Sequence, residues 1–333
     1  MTTPSLYRAR IEGTGSYLPE RLMTNHDLEK IVDTNDAWIL ERTGIAVRHF
    51  AAEGEYTSDL ALKASQKALE AAKKTPQDID MIIVATASPD QPMPNTACVL
   101  QAKMEMGNIP AMDLSAACSG FVYAFTVANQ FIMTGTYKNI LVVGAEVLHP
   151  YINYDDRETC ILFGDGAGAV VLSRAEEGDD STVFSSHLHA DGSIGDLFVL
   201  PAGGSRLPFS QDVLDNNQQF VTMKGREIFK HAVRTMSQAC GEALEANNMT
   251  GEDVNWVVPH QANIRIIEAV AKHYGISMDK VVVEIKNMGN TSAATIPVSL
   301  DRAVRDGRIT RGQNLILTAF GAGITSGSVL LRY

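Results

Sequence analysis

The chain has 333 residues and a mass of 36.1 kDa, with 45% hydrophobic and 20% charged residues, the composition of an ordinary globular protein of about two domain-sized units. Its 26 glycines and 12 prolines follow no collagen-like period, which with the composition excludes fibrous and disulfide-scaffold readings, and its four cysteines form no Cys-x-x-Cys pair, so neither a zinc site nor a redox dithiol is suggested. With 28 Lys+Arg against 39 Asp+Glu, the formal charge of −11 sets the chain as a whole against nucleic acid and anionic membranes and leaves only local basic patches for anionic partners.

In chain order, the N-terminal segment carries Arg8, Arg10 and Glu12 where a signal peptide needs an unbroken apolar run, and no stretch is long and apolar enough to span a bilayer, so a cytoplasmic location is expected. Leu60, Ala61, Ala64, Ala68, Leu69 and Ala72 recur at helical spacing over 58–74, with Ser58 as the expected N-cap. Segments 81–85 and 140–144 are apolar throughout, as in parallel strands buried on both faces. A helix is expected over 121–134, just after Cys118. Farther on, 213–220 suits a strand with loops, 224–247 a long helix, 256–258 a buried strand, 264–274 a helix, 281–283 a strand and 296–306 a helix. Strands alternating with helices place the chain in the α/β class.

A faint repeat bears on topology. Phe163-Gly164-Asp165-Gly166-Ala167-Gly168, running into an apolar strand, resembles Phe320-Gly321-Ala322-Gly323-Ile324, which also feeds an apolar strand, and each closes a part of similar length. Two related α/β halves, 1–173 and 174–333, are expected, joined by the acidic stretch 176–186; chance likeness of two glycine turns is the alternative. Neither turn is a nucleotide site. Gly164-x-Gly166-x-Gly168 departs from G-x-G-x-x-G and precedes a strand, and no P-loop motif is present.

Three short segments offer chemistry. In Ser115-Ala116-Ala117-Cys118-Ser119-Gly120-Phe121, the cysteine stands at the start of a helix among small residues, where the macrodipole lowers a thiol below its free pKa of about 8.5. A buried structural thiol is the commoner fate of a single cysteine, and Cys98, Cys160 and Cys240 keep that reading. His260, in Val257-Val258-Pro259-His260-Gln261-Ala262-Asn263, follows a strand end, where sites collect in open α/β sheets, although a lone histidine is more often structural. Asn290, in Asn287-Met288-Gly289-Asn290-Thr291-Ser292-Ala293-Ala294, reads equally as a turn or cap residue.

Together, and with the 164–168 turn and Ile11-Glu12-Gly13-Thr14-Gly15-Ser16-Tyr17-Leu18-Pro19, these segments resemble the β-ketoacyl-acyl carrier protein synthase III family of thiolase-fold condensing enzymes, from Gly13-Thr14-Gly15 to the final Leu331-Arg332-Tyr333. The resemblance implies a thiolase-like fold of two pseudo-symmetric α/β halves in a five-layered αβαβα architecture, the first carrying the nucleophilic cysteine and the second the histidine and asparagine. It also implies a homodimer without metal or cofactor, acyl-CoA being a substrate. The implied reaction is acyl transfer from CoA to Cys118, then decarboxylative condensation with malonyl-acyl carrier protein, the first condensation of type II fatty acid synthesis. Forming an acyl-enzyme splits one hard step into two easier ones. By the same resemblance, the backbone N–H groups of Cys118 and Ala322 form the oxyanion hole, in a turn that the family makes richer in glycine. His260 Nε2 and Asn290 Nδ2 would donate to the enolate left by loss of CO₂. Asparagine as third member marks the initiating class, since the elongating synthases use two histidines; chalcone-synthase-like relatives lack several flanking motifs, and the catalytic glutamate of hydroxymethylglutaryl-CoA synthase has no placed counterpart.

The resemblance further implies that Trp38 and Arg157 sandwich the adenine of CoA, a stacking and cation–π arrangement. Arg42 would meet the CoA phosphates, and Gly225 and Asn263 would line the pantetheine tunnel. Phe121, Phe163 and Met93 would border the acyl pocket, Met93 from across the dimer; methionine there, where the family often has phenylalanine, points to chains longer than acetyl. Lys230, Arg265 and Gln261 would bind acyl carrier protein, an acidic partner. Arg226, Lys230 and Arg234 recur every four residues along one helix face, and Arg265 and Lys272 lie seven apart on another; a merely solvated face is the alternative for such stripes. No nucleic-acid or membrane partner is implied. Competing readings are a cysteine hydrolase acting on thioesters or peptides, which leaves Trp38 and Arg157 unexplained, a related acyltransferase for longer or specialised acyl-CoA, and a non-catalytic carrier-protein-binding relative, against which the joint presence of Cys118, His260 and Asn290 speaks.

Overall fold

Strands β1 (Ala9–Tyr17), β2 (Met81–Ala85), β3 (Ala111–Leu114), β4 (Asn139–Glu146) and β5 (Gly166–Arg174) form one sheet in the order β1-β5-β4-β2-β3 in the computed structural model, which describes residues 6–333. The first five residues of the expected N-terminal half lie outside the described ones. Strands β2 and β4 are buried at every position and run parallel. Their apolar continuity follows from two cores meeting on them: Met81, Ile83, Ala85, Ile140 and Val142 face one, whereas Ile82, Val84, Leu141 and Val143 face the other. A second sheet of β6 (Thr182–His189), β7 (Trp256–Pro259), β8 (Asn314–Gly321) and β9 (Thr325–Arg332) has the order β7-β8-β9-β6.

The two sheets repeat one topology. In the first, β2 and β4 pair in parallel and β5 lies antiparallel between β4 and β1; in the second, β7 and β8 pair in parallel and β9 lies antiparallel between β8 and β6. The place of β3 is taken in the second sheet by a single parallel bridge from Val281 to Val257, so the strand expected over 281–283 is reduced to that bridge. The reason is local: Gln261 Oε1 accepts from the backbone N–H of both Glu284 and Ile285 and turns the chain into a short 3₁₀ helix at Ile285–Asn287.

Helices fill the spaces between and outside the sheets. The central core, between them, holds α4 (Gly120–Met133) and α7 (Thr295–Arg305); α2 (Thr57–Ala72) and α3 (Thr96–Lys103) cover the outer face of the first sheet, after α1 (Asp36–Thr43). The long α5 (Gly225–Ala246) and α6 (Ile264–His273) cover the second sheet, completing five αβαβα layers. Glycines set the closest approaches: a Cβ on Gly144 would stand 2.3 Å from Ala293 O and one on Gly168 2.6 Å from Val298 N, so the Ser292–Ala294 turn rests directly on β4 and the α7 backbone directly on β5.

Two local expectations are corrected. Segment 213–220 opens on the end of the one-turn helix Gln211–Asp215, capped by Ser210 and followed by Asn217 at φ 56°; with Val213 its only buried apolar side chain, it has no face for a strand to bury. Ser58 is not a cap: α2 starts at Thr57, and Ser58 is fully buried in its first turn, donating to Asp90 at 2.6 Å. Among the described residues no helix is long and apolar enough to cross a membrane.

Candidate active site

Equivalent loops of the two halves meet at the site. After β3 the chain enters a 3₁₀ turn, Ala117–Ser119, with Ala117 at φ 47°, and continues into α4; after Asn290 it enters another, Ser292–Ala294, with Ser292 at φ 49°, and continues into α7. Positive φ at a non-glycine residue costs about 1–2 kcal/mol and persists only where the surroundings hold it. Here they do. Ala116 O accepts from Thr325 Oγ1 at 3.0 Å, and Ser119 Oγ donates to Thr325 O at 3.0 Å, pinning the Cys118 turn to the start of β9.

Asn290 is clamped on both sides of its backbone. Its N–H donates to Leu162 O at 2.9 Å and its carbonyl accepts from Gly164 N at 3.0 Å. Its side-chain Oδ1 accepts from Ser292 N at 2.9 Å, so Nδ2 is the amide end left to donate elsewhere. His260 extends the β7–β8 pairing past Pro259, donating its N–H to Thr318 O at 2.8 Å, and its ring Nδ1 lies 2.6 Å from Thr295 Oγ1. Cys118, His260 and Asn290 line one cavity of ≈ 750 Å³.

Burial dominates the electrostatics. His260 is only 2% exposed, and desolvation lowers its pKa to about 3, so the imidazole is neutral at neutral pH. Burial also pushes the Cys118 thiol up to about 12, with a contact from the Ser292 hydroxyl opposing and the Glu146 carboxylate adding to the rise. The expected lowered thiol pKa is therefore corrected: removing a compact anion from water outweighs the partial charge of the helix end. At neutral pH Cys118 therefore rests as a neutral thiol.

The same cavity gathers most of the expected binding positions: Trp38, Arg42, Arg157, Gly225 and Asn263, with Phe163, Lys230 and Arg265 also on its wall. The guanidinium carbons of Arg42 and Arg157 each lie 4.8 Å from the centre of the Trp38 ring. Asn263 caps α6, accepting from Arg265 N at 2.9 Å, and donates through Nδ2 to Arg42 O at 2.9 Å, which ties α6 to the end of α1. A second, smaller cavity of ≈ 110 Å³ shares Cys118, Phe163 and Phe198 with the first and is lined mainly by apolar groups, including Leu148, Tyr151, Ile152 and Ala322, with Ser292 also on its wall.

Two expected positions, Phe121 and Gln261, fall elsewhere, and Met93 is expected to act from across a dimer. Phe121 is fully buried in the central core beside Phe125 and lines neither cavity, because its place on α4 turns it between the sheets. Met93 is 83% exposed and borders neither cavity within this chain. Gln261, fully buried, spends its amide on Pro259 O, Val282 O and the backbone of Glu284 and Ile285, so no carrier protein can reach it.

Other residues of the site escaped sequence reasoning. Glu146, fully buried at the end of β4, accepts from Ser88 Oγ at 2.6 Å and Ala87 N at 3.0 Å; desolvation raises its pKa, and its carboxylate meets the Ser292 hydroxyl that also contacts Cys118. Arg48, fully buried, donates through Nε to Ile161 O at 3.0 Å and through Nη1 to Asn25 Oδ1 at 2.6 Å, bracing the loop that clamps Asn290; burial lowers its pKa to about 10. Only a lone charge in the short strand Val47–Phe50 signalled it.

The family profile described as 3-Oxoacyl-[acyl-carrier-protein (ACP)] synthase III matches residues 112–192, and its C-terminal counterpart matches residues 244–333. Beta-ketoacyl-[acyl-carrier-protein] synthase III of Thiobacillus denitrificans is 52% identical over 98% of this chain and 99% of its own. The protein of the same name from Caldanaerobacter subterraneus is 49% identical, covering 98% of each chain. The crystal structure of 3-oxoacyl-[acyl-carrier-protein] synthase III from Aquifex aeolicus superposes with a TM-score of 0.90 at 46% identity, over 98% of this chain and 100% of that one.

Proposed function

The chain belongs to the β-ketoacyl-[acyl-carrier-protein] synthase III family of thiolase-fold condensing enzymes, and we propose that it performs that family's initiating condensation through Cys118, His260 and Asn290. The supporting observation is their convergence on one cavity that also holds Trp38, Arg42 and Arg157. An acyl-CoA enters along this cavity. Cys118 passes its proton to His260, attacks the thioester carbonyl and keeps the acyl group as CoA leaves; the oxyanion falls between the backbone N–H groups of Cys118 and Ala322. Malonyl-acyl carrier protein then occupies the same cavity. Loss of CO₂ leaves an enolate whose oxygen accepts from Asn290 Nδ2 and from protonated His260 Nε2, and the carbanion attacks the acyl carbonyl on Cys118.

The small cavity takes the acyl chain. An apolar cavity of about 150 Å³ holds the six carbons of benzene, so ≈ 110 Å³ suits roughly four carbons and groups longer than acetyl. Lys230 and Arg265, exposed on the wall of the wide cavity, supply positive charge for an acidic carrier protein, the Arg265 side chain being held by an exposed ion pair to Glu41 at 3.3 Å. The half-buried edge strand β3 and the exposed Met93 suit a homodimer in which Met93 reaches the partner's acyl pocket. The reading includes a cytoplasmic enzyme of two halves, 1–173 and 174–333. The test is acyl-CoA with malonyl-acyl carrier protein, with and without Cys118→Ser: β-ketoacyl product that disappears in the variant supports the reading, CoA release without condensation supports a thioester hydrolase, and neither supports a non-catalytic relative.

A further inference from the structure

The inner nitrogen of His260 meets one side chain. Nδ1 lies 2.6 Å from Oγ1 of Thr295, the first residue of α7, and both residues are buried. The threonine hydroxyl has one proton, and it lies 3.0 Å from Ser292 O, a carbonyl that can only accept. With the O–H aimed at Ser292 O, the face of Oγ1 turned to the imidazole is a lone pair. Nδ1 must then carry the ring proton, and Nε2 must be bare.

The opposite assignment conflicts with the neighbouring thiol. Were Thr295 to donate to Nδ1, the neutral ring would carry its proton on Nε2, and the cavity would hold an S–H and an N–H with no base to receive the thiol's proton. Ser292, whose carbonyl aims the hydroxyl, belongs to the turn held by Asn290 Oδ1 through the Ser292 N–H at 2.9 Å. The tautomer of the histidine is thus set by the turn that orients the asparagine amide.

We propose that Thr295 is a positioning residue that fixes His260 in its Nδ1–H form, so that Nε2 accepts the Cys118 proton; this rests on the reading of Cys118 and His260 as the reacting pair. In acylation the S–H bond breaks, its proton moves to Nε2, a carbon–sulfur bond forms to Cys118, and the carbon–sulfur bond to CoA breaks with its electron pair on the departing CoA sulfur, which takes a proton from solvent. His260 is then protonated on both nitrogens, Nδ1–H still on Thr295, and Nε2–H donates to the enolate oxygen of the second step. When the carbanion displaces the Cys118 sulfur, the thiolate recovers the proton from Nε2. One nitrogen accepts in the first half-reaction and donates in the second, while Thr295 does the same thing in both.

The test uses full-length protein labelled with ¹⁵N-histidine, the His260 signals being assigned by their loss in His260→Ala. Wild-type protein near neutral pH is expected to show a protonated Nδ1 and an unprotonated Nε2. Thr295→Val, of similar shape but without the hydroxyl, should load Cys118 from acyl-CoA about 10²-fold more slowly, the scale of a general-base contribution, with KM for acyl-CoA unchanged. Thr295→Ser should restore both the rate and the Nδ1–H signature. A protonated Nε2 in the wild-type protein, or wild-type loading by Thr295→Val, overturns the proposal. The ¹⁵N reading of wild-type protein stands whether or not Thr295→Val folds, and it is independent of the product assay that decides the function.

Discussion

One methyl group at Gly321 tests how tightly Cys118 is placed. A Cβ there would stand 2.7 Å from Cys118 N, 3.0 Å from Ser119 N and 3.1 Å from Ala116 O, all backbone atoms. Ordinary contact begins at 3.4 Å, so Gly321→Ala has to move the Cys118 turn by about 0.7 Å, the difference between 3.4 and 2.7 Å. Gly321 itself has φ −151°, which alanine adopts freely, so the cost is purely one of space. The turn has no slack to absorb the shift, being tied to Thr325 through both Ala116 and Ser119. Misplacement of reacting groups by about 1 Å costs about 10²-fold, and overpacking costs about 1–3 kcal/mol of stability. Single-turnover CoA release, with intact mass of the acyl-enzyme, should therefore show loading slowed about 30- to 100-fold, with Tm lower by several degrees. Gly323→Ala is the control. At φ 74° it meets backbone strain, but its nearest neighbour is 3.7 Å away, so stability should fall while loading stays within a few-fold. Loading by Gly321→Ala at the wild-type rate would refute the claim that this glycine positions Cys118.

Reversing Arg265 to Glu should raise KM for malonyl-acyl carrier protein several-fold and leave loading from acyl-CoA unaltered, because its ion pair with Glu41 is exposed and contributes little to the fold; an unchanged KM would remove Arg265 from the docking surface. His260 also predicts an acid limb of stability. Its folded pKa of about 3 lies below the ordinary 6.5, so below 6.5 the unfolded chain binds a proton that the folded chain refuses, and stability falls as pH drops. From pH 7 to 5 the loss is about 2 kcal/mol at 1.36 kcal/mol per unit. Denaturant midpoints at the two pH values, compared with His260→Gln, check it: the variant should lose less on acidification by about that amount.

What could be read from the amino acids follows from how far each signal reaches along the chain. Helices α2, α4, α5, α6 and α7 each carry their own periodicity and lie within a residue or two of where the pattern puts them. Cys118, His260 and Asn290 stood out because short motifs surround each of them. Segment 213–220 misled because Val213, Leu214 and Phe220 look like a strand in isolation, yet only Val213 finds a core. Gln261 was misassigned for a related reason: the family resemblance implied a carrier-protein contact, whereas its amide is taken up by backbone that lies about twenty residues on. Glu146, Arg48 and Thr295 act through partners far away in sequence, at Ser88, Ile161 and His260, and no local pattern encodes such pairings. The thiol's raised pKa was invisible for the same reason, since burial of Cys118 is a property of both halves together.

Cys118 lies on the wall of both cavities, and this has a kinetic consequence. In the proposed reaction, loading forms the bond between the Cys118 sulfur and an acyl chain seated in the small cavity and breaks the bond to the CoA arm in the wide one, so the arm can be exchanged while the chain stays seated. The CoA arm must withdraw from the wide cavity before the carrier-protein arm can occupy it, which imposes a ping-pong order. The identity of the acyl group is decided once, at loading, and the incoming malonyl group meets a reaction partner whose position is already set.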